Sequence, residues 1–184
     1  MAITTLQDLY VEQLRDLYDA ENQLIKALPK IAEASLSDEL RQGFDEHLEQ
    51  TKEHAQRLET IFEKLGEKAK GKKCKGMEGL LKEGSEVLNE DMDGSVKDAA
   101  IIAAAQRVEH YEISGYGTAR TFANLLGDRE AATLLEQTLD EEKQTDRKLT
   151  ELAEGINVEA DREPSEVEEE TIKPRSVARK KPAA

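Results

Sequence analysis

Apolar residues recur every three or four positions along four long stretches of the chain, the spacing that places them on one face of an α-helix. Over residues 4–34 the stripe is Leu6, Tyr10, Leu14, Leu17, Leu24, Leu28 and Ile31. Thr4, with Gln7 three positions on, predicts a capping box at its start, and Pro29 predicts a kink or restart near Leu28. Ser35, Leu36 and Ser37 read as a tight turn, with Ser37 capping the next helix. Residues 37–65 repeat the pattern with Leu40, Phe44, Leu48, Ala55, Leu58, Phe62 and Leu65, and Gly66 is the expected stop. Residues 67–76 are rich in Lys and Gly and predict loop, residues 77–88 fit one short helix, and residues 89–94 are loop again. Ser95, with Asp98 three positions later, opens a helix predicted to reach about Leu126. A turn at Gly127 and Asp128 leads to the last helix, over 130–154.

The connections decide the topology. Two short links join the first helix to the second and the third long helix to the fourth, and short links demand antiparallel neighbours. Between the pairs lies one long connection, enough to travel the length of a helix. This order predicts an all-α, ferritin-like antiparallel four-helix bundle with one long crossover carrying a short extra helix. It also implies two half-repeats: residues 46–61 can be laid over 137–152, so that Leu48 meets Leu139 and Leu58 meets Leu149.

Composition adds the class of partner. The chain of 184 residues is long enough for one domain with a sizeable core, and it has no run apolar enough to span a bilayer. Its start lacks the pattern of a secretion signal, and its single cysteine, Cys74, makes no internal disulfide, so a cytoplasmic setting is expected. Net charge is −14. Residues 157–184 hold seven acidic and six basic side chains, so the excess sits on the bundle, residues 1–156. An acidic bundle repels nucleic-acid phosphates and anionic lipids and concentrates cations. The segment 157–184 can form no core and is expected to be a disordered tail, whose basic end is a candidate contact for an anionic partner.

Ionisable residues fall on the inward stripes. Glu21 lies among Leu17, Leu24 and Leu28, and Thr51 lies on the inward stripe of the second helix with His47 and His54 on its flank. Glu109 and Glu112 lie among Ile102, Ile113 and Tyr116, while Leu135 and Leu149 bracket Glu142 and Asp146. Burying several carboxylates together is costly unless protons or cations compensate them. Carboxylates with imidazole suit Fe(II), Mn(II) or Zn(II). The predicted metal ligands are Glu21, His54, Glu109, Glu112, Glu142 and Asp146, with His54 better placed than His47 and His110 turned away from the core. The competing reading pairs these acids with Arg15, Lys26, Arg107 or Arg120, or leaves them at wet bundle ends.

The stretches LYDAENQLIKALPKIAEAS, HLEQTKEHAQRLETIFEKLG, KCKGMEGLLKEG, AAQRVEHYEISGYGTA and LLEQTLDEEKQTDRKL resemble the YciE/YciF family of bacterial stress-associated ferritin-like proteins. The resemblance spans about residues 4–155. It implies a cytoplasmic, dimer-forming bundle related to rubrerythrin and other carboxylate-bridged di-iron proteins. Glu21 and Glu109 match the glutamates of the first and third helices of that wider pattern, and Glu112 is similar to the extra acid of rubrerythrins. The two Glu-x-x-His motifs are each half present: Thr51 stands three residues before His54, and Thr145 three residues after Glu142. One metal, an asymmetric pair, or a degenerate site all fit such a pattern.

Two functions follow from this. One is a metal-binding stress protein that oxidises bound Fe(II) with peroxide or oxygen, with Tyr111 or Tyr116 relaying electrons. The other is a non-catalytic dimeric scaffold, with Gly115 and Gly117 permitting close helix approach. A nucleophilic enzyme has less support: Cys74 sits in a Lys-rich loop that favours thiolate, but no partner base is identifiable, and an exposed or half-buried structural cysteine is expected.

Overall fold

The computed structural model describes residues 3–162, and these form five helices without strands. They are α1 (Leu6–Ala34), α2 (Asp38–Lys64), α3 (Lys75–Asn89), α4 (Gly94–Leu125) and α5 (Arg129–Ala160). α1 pairs with α2 and α4 with α5 across short turns, and the two hairpins pack as α1 on α4 and α2 on α5. The starts of α1 and α5 and the ends of α2 and α4 share one apolar cluster, built around Tyr10, Leu14, Leu58, Phe62, Ala123 and Leu135. The helices of each hairpin are therefore antiparallel. Residues 65–93 carry the chain back to the other end, with α3 lying against α1 and α4. The predicted ferritin-like bundle with its crossover helix is what forms. Among the described residues no helix is long and apolar enough to cross a membrane.

Local chemistry sets the ends of the helices. The capping box sits one residue later than the sequence suggested: Asp8 N donates to Thr5 Oγ1 at 3.1 Å, and Thr5 N donates to Asp8 Oδ2 at 2.9 Å. Pro29 neither ends nor restarts α1; it lies inside the helix at an exposed position. α2 and α4 both close on a left-handed glycine, Gly66 (φ 66°) and Gly127 (φ 81°). In each, the next residue donates back to the helix, Glu67 to Phe62 O and Asp128 to Ala123 O, both at 2.9 Å. The last helix is longer than predicted. The expected tail from residue 157 overlaps its final turn, and residues 163–184, with the basic end, lie outside the described residues.

Asp98 does not box the start of α4 as its spacing from Ser95 suggested; α4 is capped by Asp93 without a side-chain bond. Asp98 is buried and reaches across to the α1–α2 turn, accepting from Leu36 N at 2.9 Å and Ser37 N at 2.7 Å. It ties the two hairpins together at that end. Asp98→Ala orphans two backbone donors and is expected to cost about 1–3 kcal/mol in urea denaturation; a loss below about 0.5 kcal/mol would show that water takes its place.

The crossover is held by close backbone approach. Lys72 N donates to Arg15 O at 3.1 Å and Cys74 N to Asp19 Oδ2 at 2.8 Å. A Cβ on Gly71 would lie 2.8 Å from Asp19 Cβ, and one on Gly76 2.7 Å from the Tyr111 ring. Gly115 serves the same end inside the fold, since a Cβ there would meet Leu17 at 2.8 Å, whereas Gly117 faces open space.

Candidate metal centre

The core is split. One apolar cluster fills the end described above, a second fills the other around Leu24, Leu28, Leu40, Phe44, Met77, Ile102 and Leu149, and a polar layer separates them. Glu21, His47, His54, Glu109, Glu112 and Glu142 all lie in this layer, none more than 2% exposed. They come from α1, α2, α4 and α5, whose inward stripes meet at mid-bundle.

Ligating atoms gather into two groups. His47, Glu109, Glu112 and Glu142 offer one set with donor atoms within 4.8 Å of one another; Glu21, His54 and Glu142 offer a second. Glu142 belongs to both. Of the ten buried side-chain N and O atoms without a hydrogen-bond partner among the described residues, eight belong to these six residues. Both oxygens of Glu112 and of Glu142 are among them, with Nε2 of His47 and Nδ1 of His54. Buried polar atoms are nearly always satisfied, so this concentration makes the layer a candidate site for a metal ion.

The imidazoles are oriented to leave one nitrogen free. Nε2 of His54 lies 2.8 Å from Glu141 Oε2, and Arg57 grips Glu141 through two nitrogens at 2.5 and 3.0 Å. Nδ1 of His54 therefore points inward, 3.1 Å from Glu142 and 3.6 Å from Glu21. His47 sets Nδ1 3.3 Å from the Thr145 hydroxyl, which itself donates to Glu141 O, and turns Nε2 to within 3.4 Å of Glu109. The hydroxyl of Tyr116 donates to Glu21. Partners that fix an imidazole's other nitrogen are what metal-binding histidines use. Glu141→Gln is expected to weaken metal binding about 10–100-fold without changing the number of sites, as read by competition with a coloured chelator; equal affinity would remove Glu141 from the centre.

Electrostatics show what the layer lacks. Burial, reinforced by the charge of Glu142, holds Glu109 well above the usual carboxylate range, and burial with the charges of Glu21 and Glu142 does the same to Glu112. Glu21 is also raised, again chiefly by burial. Burial opposes ionisation of Glu142 too, but the His54 imidazole, its Nδ1 3.1 Å away, outweighs it and lowers that carboxyl. Burial disfavours the His54 cation as well, yet Glu141, Glu142 and Glu21 push the imidazole up to about 12. His47 is lowered, chiefly by burial, and stays neutral with Nε2 free to coordinate. Four carboxylates balance two divalent cations, and six O and N donors match the ligand preferences of Fe, Mn or Zn.

The structure places the residues singled out in the sequence as follows. Glu21, His54, Glu109, Glu112 and Glu142 are brought together as expected. Asp146 is not: it is half-buried on α5, accepting from Gln106 Nε2 at 3.2 Å beside the exposed His110. It sits one turn beyond Glu142, where the α5 stripe has rotated outward. His47, placed second to His54 by its position on the wheel, is as buried as the rest. The seven-residue spacing of His47 and His54 was the usable signal, because two turns return to the same face. Cys74 also differs: it is fully buried, caps α3, and contacts Tyr111 at 2.9 Å and Asp16 at 3.2 Å, and burial pushes its thiol up rather than down.

A family model described as "Domain of unknown function (DUF892)" matches residues 5–161. The chain belongs to this family. Protein YciF of Escherichia coli (strain K12) is 48% identical over 154 residues, covering 83% of this chain and 93% of that one. The crystal structure of the E. coli stress protein YciF matches with a TM-score of 0.81 at 47% identity, over 84% of this chain and 98% of that chain. YcfI of Rhodopseudomonas palustris gives 0.79 at 45% identity, over 80% and 94%. The bacterioferritin-related protein of Bacteroides fragilis, a dodecameric thioferritin, matches at 0.63 over 92% and 93%; with 16% identity it shows the fold alone. The expected kinship with YciF and the ferritin-like fold both hold.

Proposed function

We propose that this DUF892 protein is a stress-response metal protein holding two divalent ions, iron foremost, between Glu21, His47, His54, Glu109, Glu112 and Glu142. The concentration of eight unpartnered buried donor atoms in one layer carries this reading. Glu142 bridges the two groups. The half-repeats explain the altered motifs: laid over one another, Thr51 falls on Glu142 and His54 on Thr145. Each half keeps one member of Glu-x-x-His, and His47 brings its imidazole to the Thr145 hydroxyl from α2. Asp146 falls outside the ligand set on this reading. The scaffold alternative required Glu21, Glu109 and Glu142 to meet basic side chains or solvent. They are buried, and the basic side chains that meet them are His47 and His54, themselves members of the two donor groups, so the pairing that the scaffold reading expected falls inside the proposed centre.

Fe(II) held by these carboxylates and imidazoles would supply one electron per ion to peroxide or oxygen. The protein's share is to bind and orient: Glu109 and Glu112 hold protons at their oxygens until cations displace them, and the two apolar clusters keep bulk water from the layer. The relative's designation as a stress protein is consistent with removing such oxidants. A cytoplasmic homodimer belongs to the same reading through that kinship. The test is stopped-flow mixing of anaerobically Fe(II)-loaded protein with one equivalent of peroxide. Oxidation well above the rate of the same Fe(II) in buffer is expected; equal rates would reduce the function to metal binding.

A further inference from the structure

Away from the metal layer, α1, α3 and α4 diverge around an apolar cavity of about 250 Å³ that opens to solvent. Small residues form its floor, Ala27 of α1, Gly84 of α3 and Ala104 of α4, and leucines of α3 close one side. α3 buries Met77 completely but leaves Leu81 and Leu88 half-covered here, so apolar surface that the fold has gathered stays in contact with water. Lys26 and Lys30 stand one turn apart at the mouth, both exposed. Neither pairs with a carboxylate among the described residues, a state they share with Lys68, Lys70, Lys75, Lys82 and Lys97, but of these only Lys26 and Lys30 line the cavity. On a chain of net charge −14, two unpaired like charges above an apolar cavity are a local inversion of the surface.

We propose that this cavity binds a medium-chain fatty acid, its alkyl chain between the three helices and its carboxylate between Lys26 and Lys30. The volume holds roughly eight methylene-sized groups at about the 30 Å³ of a water molecule. Each methylene buried is worth about fourfold in affinity. The two ammonium groups select an anionic head over a neutral or cationic one. The inference stands independently of the metal centre, since its residues lie outside the ligand set.

Calorimetric titration of the full chain with decanoate, decanol and decyltrimethylammonium tests it. Decanoate is expected to bind once per chain, at least tenfold tighter than the other two. Lys26→Glu with Lys30→Glu should weaken decanoate at least tenfold and leave decanol unchanged. Gly84→Leu should abolish binding while the chain folds normally, since a Cβ at Gly84 meets nothing within 4 Å; Ala104→Phe is the second filling variant. No decanoate binding, equal binding of all three amphiphiles, or insensitivity to both filling variants would overturn the proposal. So would sedimentation showing that Gly84→Leu splits a dimer that excludes decanoate, which would assign the face to a second copy.

Discussion

Glu142→Gln is expected to empty both metal positions while leaving the bundle intact. The substitution keeps shape and removes only the negative charge. That charge serves both groups of donors, because Glu142 is their common member. Loss well beyond the roughly 100-fold ceiling of an orienting partner is expected, so elemental analysis should find almost no metal. Glu112→Gln is the contrasting variant. Glu112 lies in the group with His47 and Glu109 but not in the group with Glu21 and His54, so one of two ions should be lost. Its carboxyl is held neutral by burial in metal-free protein, and a neutral amide of the same shape should leave the metal-free melting temperature at pH 7 unchanged or raised. If Glu142→Gln lost only one ion, Glu142 would not be the bridge.

Stability of chelator-treated protein is expected to fall as pH rises from 5 to 8, against the usual trend. Glu21, Glu109 and Glu112 are raised above their ordinary value near 4.5. Above that pH the unfolded chain loses these protons before the folded chain does, so folding binds protons and weakens with alkalinity. His54, raised from 6.5 to about 12, adds the same sign: its contribution is full below 6.5 and is lost as pH climbs toward 12. His47 is lowered and works the other way, costing stability below 6.5, but it is one group against four. Below 4.5 the lowered carboxyls, Glu142 and Glu141 (the latter to about 2), give up their contributions. The optimum of metal-free protein therefore lies near pH 5. Each retained proton is worth about 1.4 kcal/mol per pH unit. Denaturant titrations at pH 5.5 and 7.5 check the sign, and Fe(II) or Mn(II) at pH 7.5 should restore what alkalinity removes. Greater metal-free stability at pH 7.5 would mean that the layer carries no excess of held protons.

Helix number, order and the crossover were legible because they follow from periodicity and connection length, which a single chain displays. Details that depend on a second element were not. Asp98 has the spacing of a local cap, yet its partners are Leu36 and Ser37, far away in sequence. Thr4 and Thr5 both precede an acceptable partner, and only the backbone path chooses Thr5. In the metal layer, four glutamates were readable as charges on apolar stripes. His47 was harder, because α2 packs against both α1 and α5 and its buried face is wider than one stripe. Asp146 differs because its neighbours could not be read: one turn beyond Glu142, its half-buried side chain meets Gln106 and His110 instead of the buried layer.

Metal content of untagged full-length protein, purified without chelators and again after anaerobic Fe(II) loading, bears most directly on the centre. Two tightly held divalent ions per chain are expected, falling to none in Glu109→Ala with Glu142→Ala. No metal under either condition, or the same content in the double variant, would contradict a carboxylate–histidine metal centre in this layer.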